Sequence, residues 1–302
     1  MKNSVSKIIT HSPSILLVVK DFLMLTKARL AISVVFSSVA GYLLGATSFD
    51  ITICLVLAIG GYCLVGASNA YNQIIEKDLD ALMTRTQNRP LPAERMSSQV
   101  AFWIAALLTL LGIAILYWIN PKTAMFGAIS IFMYTSLYTP LKTKTPLSVF
   151  VGAFPGAIPF MLGWVAATND FGIEPGTLFM IQFFWQFPHF WSIGWLQFEE
   201  YKKAGFIMLP MDKKDQSATK QIIFYTIIMI LVSLAPVLKL TGAFYIHPIT
   251  AIIIALLGLL MLYYGVLLHK KQTNIEARKL MLSSVIYITM IQIIYVIDKF
   301  LH

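Results

Sequence analysis

Nine apolar runs of about 20 residues follow one another along this chain of 302 residues, separated by short polar connections. Because an α-helix needs about 20 apolar residues to cross a bilayer, the pattern predicts an all-α polytopic membrane protein. Residues 28–302 are predicted to form one membrane domain, preceded by a cytoplasmic tail at residues 1–27. The predicted spans are residues 28–46, 51–75, 100–119, 123–138, 147–168, 176–196, 219–238, 245–268 and 280–297.

The charged residues are few, at 12% of the chain, and give a formal net charge of +9. If the runs alternate in direction, 20 of the 23 Lys and Arg fall on the side that holds the N-terminus, leaving Lys122, Lys239 and Lys299 for the other. Basic residues collect on the cytoplasmic side, so a cytoplasmic N-terminus in a bacterial plasma (inner) membrane is predicted. The charge is therefore a topology signal, and no nucleic-acid partner is expected.

The two long connections, after the second and the sixth span, both begin with carboxylates and continue with basic residues. This layout predicts two halves that face each other across a central cavity near the cytoplasmic side. Between them lies the segment VGAFPGAIPFMLGW, whose glycines and prolines predict a kinked helix that packs closely on its neighbours or borders the cavity.

Asn72, Glu76 and Asp80 recur every four residues at the end of the second span. Positions four apart share one face of an α-helix, whereas Asp78 falls on another face. Oxygen ligands favour Mg²⁺, but a straight helix separates Asn72 from Asp80 by about 12 Å. We therefore expect Asn72 and Glu76 to serve one ion and Asp80 a second ion or its waters. A solvated, charged helix end is the alternative interpretation.

Arg85 and Arg89 follow this run, and Pro90 ends any local helix. Arginine suits bidentate phosphate binding, so the two side chains are candidates for holding a diphosphate whose hydrocarbon chain lies between the helices. Lys142 and Lys144, after the fourth span, are in position to add positive charge, although they are equally well explained as topology-setting lysines.

The sixth span contains polar residues among many aromatic ones, in the run FFWQFPHFWSIGWLQFEEY. Polar side chains inside a membrane are costly and point to function, although a single histidine is also often a hydrogen-bonded packing residue. Flat aromatic walls suit a flat aromatic acceptor. The predicted acceptor-binding residues are Tyr138, Trp185, Gln186, His189, Glu199 and Glu200.

These motifs together resemble those of the UbiA-type intramembrane prenyltransferases, and in particular the branch whose members transfer a farnesyl group to haem b. The resemblance covers residues 28–297 and includes WQFPHFW and EYKKAGFIMLP. Glu76 stands where the family usually has Asp, and the second acidic motif of other members, DxxxD, is absent as such. The residues of the first motif are Asn72, Glu76, Asp80, Met83, Arg85, Thr86, Arg89 and Pro90.

The resemblance implies Mg²⁺-dependent transfer of a farnesyl group from farnesyl diphosphate to a vinyl group of haem b, with addition of water, giving haem O and diphosphate. It implies catalytic roles for Asn72, Glu76, Asp80 and His189, of which the first three would bind Mg²⁺. The implied partners are farnesyl diphosphate, haem b, membrane lipid and a haem-modifying membrane enzyme that receives the product. A quinone precursor or chlorophyll-like acceptor, and a transporter or lipid-binding protein without chemistry, are the alternatives.

Overall fold

The computed structural model describes residues 14–302, which are helical or in connections without strands. The first thirteen residues of the predicted tail lie outside this range, and part of the remainder forms helix α1. The helices are α1 Ile15–Leu25, α2 Ala28–Gly45, α3 Ile51–Ile75, α4 Lys77–Ala81, α5 Ser98–Ile119, α6 Pro121–Phe132, α7 Thr139–Leu141, α8 Ser148–Thr168, α9 Ile173–Leu196, α10 Phe198–Lys203, α11 Gln216–Leu234, α12 Pro248–Lys271 and α13 Asn274–Leu301.

Each predicted apolar run falls in a long helical segment, which confirms the all-α membrane fold class. Within the described range, eight helices are long and apolar enough to cross a membrane. Helix α9 has 24 residues and is long enough, but glutamines, a histidine and other polar residues lower its hydropathy. The count of nine spans therefore stays a prediction.

Polar residues at the ends of the apolar runs determine where several helices begin. The side chains of Asp50, Ser97 and Asn120 accept hydrogen bonds from backbone N–H groups in the first turns of α3, α5 and α6. Such caps satisfy donors that have no partner inside the helix. Asn120 also ties α6 to α8, because its Nδ2 donates to the Val165 carbonyl at 3.1 Å.

The long helices contact each other in a circuit that runs from α2 through α3, α5, α6, α8, α9, α11 and α12 to α13 and back to α2. Helix α8 also packs against α2, at glycines that let the two backbones approach. A Cβ atom on Gly163 would lie 1.9 Å from the Ser38 carbonyl oxygen, and one on Gly41 would lie 2.0 Å from that of Phe160. The tight packing predicted for the α8 segment is thus observed.

Gly163→Ala should destabilise the protein, because the new methyl group would meet the α2 backbone and force the two helices apart. Overpacking of this kind costs about 1–3 kcal/mol. Gly176→Ala in α9 is the matched control, since nothing lies within 4 Å of a Cβ atom there. Thermal unfolding in detergent measures the difference, and equal midpoints for the two variants would contradict the close approach.

Both halves of the chain contain the same break in a long helix. Helix α3 ends at Ile75 and α4 begins at Lys77, and the residue between them, Glu76, has φ −97° and ψ 10°. Helices α9 and α10 are separated in the same way by Gln197, with φ −100° and ψ 14°. The break supports the predicted similarity of the two halves, and it corrects the straight helix assumed for residues 72–80.

The segments rich in basic residues meet at one end of the bundle. Arg95 forms an ion pair of 2.9 Å with the buried Asp21 of α1, and the Thr84 N–H donates to Glu200 Oε2 at 2.6 Å. The second contact joins the connection after α4 to α10, so the two long connections do face each other. That this end is cytoplasmic stays a prediction.

Candidate active site

The side chains of Asn72, Glu76 and Asp80 all turn into the protein at the end of α3 and in α4. Their residues are 1%, 4% and 1% exposed, whereas Asp78 is exposed. The backbone hydrogen bonds from Glu76 N to Asn72 O and from Asp80 N to Glu76 O persist through the break. A buried location excludes the alternative of a solvated, charged helix end.

The amide of Asn72 is held from two other helices. Its Oδ1 accepts a hydrogen bond from Lys27 Nζ at 3.2 Å, and its Nδ2 donates to Thr139 Oγ1 at 3.2 Å. Lys27 separates α1 from α2 and has the left-handed conformation, with φ 48°. This conformation is unfavourable for a residue with a side chain, and such strain is concentrated at functional sites.

Glu76 is paired with Lys142, whose Nζ lies 2.9 Å from Glu76 Oε1 and 4.6 Å from the centre of the Tyr138 ring. Apart from this ion pair, Glu76 Oε1 is buried and has no hydrogen-bond partner. Lys142 follows a π-helical segment, Met133–Tyr138, and short helix α7. π-helical turns are frequent at functional sites, and this one precedes Pro140, which has no N–H to donate.

Asp80 is paired with Arg89, whose guanidinium Nη1 donates to Asp80 Oδ2. Thr86 supports the turn between them, because its hydroxyl donates to the Asp80 carbonyl at 2.7 Å. Arg89 therefore lies beside the acidic cluster, and its role at a diphosphate stays a prediction. Arg85 is exposed and makes no ion pair or side-chain hydrogen bond with any residue in the described range.

Burial and the neighbouring charges together shift the pKa values of the two lysines at the site. Burial lowers the pKa of Lys27 to about 7, and the nearby Arg89 and Lys142 lower it further than Glu76 and Asp80 can offset. Burial alone would also lower the pKa of Lys142, but the adjacent Glu76 carboxylate raises it above its ordinary value. The Lys142 ammonium and the Glu76 carboxylate therefore stabilise each other's charged forms.

The residues present fit a Mg²⁺ ion by their chemistry. Asn72, Glu76 and Asp80 offer oxygen ligands, the type that Mg²⁺ prefers, and all three are buried. In residues 14–302 no three His, Cys, Asp or Glu side chains converge on one point. Mg²⁺ usually takes one or two carboxylates and completes its shell with water and phosphate.

A small apolar cavity lies among α2, α3, α5, α6 and α8. Helix α3 contributes Gly61, Leu64, Val65 and Ser68, which lie on the same helical face as Asn72. Eleven residues from Gly61 to Asn72 correspond to about 16 Å along the helix. The cavity therefore lies on the same face of α3 as Asn72, deeper in the apolar part of the bundle.

The acceptor residues predicted in α9 face two different neighbours. Trp185 and His189 face α13, where the Trp185 Nε1–H donates to the Ser284 carbonyl at 2.6 Å and His189 Nδ1 lies 2.8 Å from Ser284 Oγ. Gln186 faces α8 and donates to the Ala153 carbonyl at 2.8 Å. Trp185 and His189 also stack, with ring centres 4.5 Å apart.

The remaining predicted residues lie near the end of the bundle that holds the acidic cluster. Tyr138 is buried beneath Lys142, next to that cluster and apart from the α13-facing pair. Glu199 and Lys144 are exposed. Glu200 accepts hydrogen bonds from Lys203 and the Thr84 N–H, which hold its pKa below the ordinary value. Their predicted roles remain predictions.

Three residues of this region were not predicted from the sequence: Lys27, Thr139 and Ser284. Lys27 was assigned only to the topology-setting charges, and a strained backbone is not visible in a sequence. Thr139 lies next to Pro140, at the end of a helix where a special geometry could have been suspected. Ser284 lies in an otherwise apolar span, with Ser283 beside it as an equally good candidate.

Comparisons with known proteins agree with this geometry. A profile of the UbiA prenyltransferase family matches residues 34–290. The chain is 66% identical to protoheme IX farnesyltransferase of Christiangramia forsetii, over 97% of both chains, and 64% identical to that of Flavobacterium psychrophilum, over 96% of this chain and 98% of the other.

Solved structures share the fold at low sequence identity. A structure of digeranylgeranylglyceryl phosphate synthase has a TM-score of 0.76 at 20% identity and covers 93% of this chain and 98% of its own. A UbiA homolog from Archaeoglobus fulgidus, bound to GPP and Mg²⁺, has a TM-score of 0.64 at 14% identity and covers 91% and 99%. The chain therefore belongs to the UbiA prenyltransferase family.

Proposed function

We propose that this prenyltransferase transfers a farnesyl group from farnesyl diphosphate to a vinyl group of haem b, with addition of water, to give haem O and diphosphate. The proposal places the reaction in the plasma (inner) membrane, with the active site towards the cytoplasm and Mg²⁺ as cofactor. The observation that carries it is the buried cluster of Asn72, Glu76 and Asp80, each paired with a base, on the same face of α3 as an apolar cavity.

The cluster suits a prenyl diphosphate because it combines both signs of charge beside an apolar space. Glu76 and Asp80, with the Asn72 amide, would hold Mg²⁺, which when bound neutralises charge on the departing diphosphate. Each of these three residues contacts a basic side chain, so three bases lie next to the proposed metal position: Lys27, Arg89 and Lys142. They can bind phosphate oxygens once the metal takes over the carboxylates.

The cavity suits the hydrocarbon chain of the donor. It lies on the Asn72 face of α3, so a chain anchored at the cluster by its diphosphate would extend along Ser68, Val65 and Gly61. From Asn72 to Gly61 this path follows about 16 Å of the helix, along which an extended farnesyl group would lie. Burial of the chain also excludes bulk water from the allylic carbon when its bond to the diphosphate oxygen breaks.

The proposed reaction balances without a nucleophilic side chain. The bond between the first farnesyl carbon and the diphosphate oxygen breaks, and diphosphate leaves with the electron pair. The terminal carbon of the haem vinyl group then forms a bond to the farnesyl carbon. A water oxygen adds to the carbon next to the porphyrin ring and releases one proton. The chain's residues bind, orient and neutralise charge, which is the contribution that a transfer through a cation requires.

Purified protein in detergent, supplied with haem b, farnesyl diphosphate and Mg²⁺, should produce haem O, identified by mass spectrometry. Chelation of divalent cations should stop the reaction, and an excess of Mg²⁺ should restore it. The proposed acceptor is wrong if an aromatic acid or a chlorophyll-like ring is farnesylated and haem b is not. Failure to release diphosphate with any of these acceptors would instead favour a transport or lipid-binding role.

Transfer of the product to a haem-modifying membrane enzyme is part of the same proposal. Haem O is apolar and remains in the bilayer after release, so an enzyme in the same membrane is the expected recipient. We expect the two proteins to co-purify from membranes. The association should be lost when the recipient is deleted and restored when it is expressed again.

A further inference from the structure

Helix α9 presents a polar face to α13 within the membrane. Gln182, Trp185 and His189 are spaced three and four residues apart, so they lie on one helical face. Each of them is bonded to α13: Gln182 Oε1 accepts from Gln292 Nε2 at 3.1 Å, and the other two contact Ser284. Polar side chains in a membrane are costly unless they are paired, and here the pairing fixes the relative position of two helices.

Ser284 determines which ring nitrogen of His189 carries the proton. Its hydroxyl lies 2.7 Å from the Met281 carbonyl oxygen, which can only accept, and 2.8 Å from His189 Nδ1. A hydroxyl has a single proton. With that proton donated to Met281, Ser284 Oγ accepts from His189, so Nδ1 is the protonated nitrogen and Nε2 has a free lone pair.

The Nε2 atom is left available by this arrangement. Within residues 14–302 no side chain or backbone group forms a hydrogen bond with it, and the His189 side chain is half-buried. The ring cannot turn freely, because it stacks on Trp185 at 4.5 Å with an angle of 17° between the planes. Trp185 is itself held by its bond to the Ser284 carbonyl. The result is an oriented neutral imidazole with one open nitrogen.

An oriented neutral imidazole of this kind is the usual metal-binding form of histidine. A histidine that ligates a metal almost always donates its other N–H to a fixed partner, which sets the tautomer and the ring orientation. Iron porphyrins accept such a nitrogen as an axial ligand. Trp185 and Phe190 lie against the same imidazole, with ring centres 4.5 and 5.5 Å from it, so aromatic side chains flank the nitrogen that a porphyrin would meet.

We propose that His189 Nε2 is an axial ligand of the haem iron of the acceptor, and that Ser284 is the positioning residue that selects the required tautomer. This inference rests on the proposed function, because it assumes a haem acceptor. It adds one coordinate bond from nitrogen to iron and changes no oxidation state. Axial ligation would fix the porphyrin plane relative to α9, and so fix which edge of the ring reaches the farnesyl carbon.

Titration of the purified protein with haem b, in the absence of farnesyl diphosphate, tests the ligand. Wild-type protein should give the absorption spectrum of a histidine-ligated haem, and His189→Gly should lose it. Exogenous imidazole should restore the spectrum of His189→Gly by taking the vacant place. A His189→Gly spectrum identical to that of the wild type would refute the ligation.

Ser284 is tested with a matched neighbour. Ser284→Ala should weaken haem binding about 10–100-fold, the usual effect of removing the partner of a metal-bound histidine, and Ser284→Thr should retain binding. Ser283→Ala is the control, because Ser283 also donates to a carbonyl three residues earlier, Leu280 O at 2.8 Å, but contacts no histidine. Thermal unfolding reports whether each variant is folded.

The outcomes separate this inference from the proposed function. If Ser284→Ala and Ser283→Ala bind haem equally well, or if Ser284→Thr fails like the alanine variant while remaining folded, the positioning role is wrong. If wild-type protein makes haem O but His189→Gly keeps the wild-type spectrum, the ligation is wrong and the function stands. If wild-type protein neither binds haem nor makes haem O, the proposed function itself fails.

Discussion

Asp80→Asn should reduce the turnover of the folded protein by about 100-fold or more, and should also lower its stability because Arg89 loses its charged partner. The substitution keeps the shape of the side chain and removes the charge that would bind Mg²⁺ at the developing diphosphate. Loss of one preorganised electrostatic contact of this kind costs about 3–4 kcal/mol in the transition state. Because Asp80 is 1% exposed, solvent does not screen this effect.

Asp78→Asn is the matched control for that experiment. Asp78 belongs to the same short helix, α4, and is only two residues away, but its side chain is exposed and points to another face. We expect wild-type turnover for this variant at saturating Mg²⁺. Similar losses in both variants would show that general negative charge on α4 matters, and that Asp80 does not act at a defined site.

The apparent Mg²⁺ requirement should separate the two acidic residues that were predicted to serve different ions. Glu76→Gln and Asp80→Asn are each expected to need more Mg²⁺ for half-maximal turnover. If one variant needs no more Mg²⁺ than the wild type and only its maximal turnover falls, the substituted residue acts on the diphosphate without holding the metal. Turnover measured as a function of Mg²⁺ concentration, with farnesyl diphosphate saturating, provides the comparison.

The fold class and the main residues of the site could be predicted from the sequence because both depend on local spacing. Apolar runs report helices, and the interval of four residues reports a shared face, which Asn72, Glu76 and Asp80 indeed have. The break at Glu76 could not be predicted, since IIEKDLDA has a continuous helical pattern. The side chain turns inward there because of tertiary contacts with Lys142, 66 positions further along the chain.

The basic partners of the acidic cluster could not be predicted from the sequence either. Lys27 and Lys142 look like topology-setting lysines in the sequence, and only the packing of α1, α3 and α7 shows that each meets a site residue. His189 could be selected as a polar residue in a membrane span, but its partner Ser284 is 95 positions away. A hydropathy pattern contains no information about pairs this distant, so the electrostatic balance of the site had to come from the structure.

That balance explains how a site for an anion can be stable before the anion binds. Two buried carboxylates are each compensated by a base, and Lys27, with its pKa lowered to about 7, gives the cluster an excess of positive charge whenever it is protonated. A metal-bound prenyl diphosphate is negative overall. Its arrival would exchange carboxylate partners for phosphate partners on Arg89 and Lys142, with little change in the total charge that is buried.

Lys142→Gln should therefore destabilise the protein in the absence of Mg²⁺ and also abolish most of its activity. The substitution leaves the Glu76 carboxylate buried without its positive partner, which costs about 3–5 kcal/mol. Removing the charge from both residues, in Glu76→Gln with Lys142→Gln, should recover most of that stability, because no buried charge is left unpaired. It should not recover activity, since both the metal ligand and the phosphate-binding base are missing.

Thermal unfolding in detergent with a chelator measures this cycle, and an exposed pair supplies its control. Lys203 and Glu200 form an ion pair whose side chains are 57% and 23% exposed, so Lys203→Gln should cost less than about 1 kcal/mol. Added Mg²⁺ should stabilise Lys142→Gln more than the wild-type protein, because the ion then compensates Glu76 in place of the lysine. Additive losses in the double variant, together with equal stabilisation by Mg²⁺, would mean that Lys142 and Glu76 are not coupled and that the metal binds elsewhere.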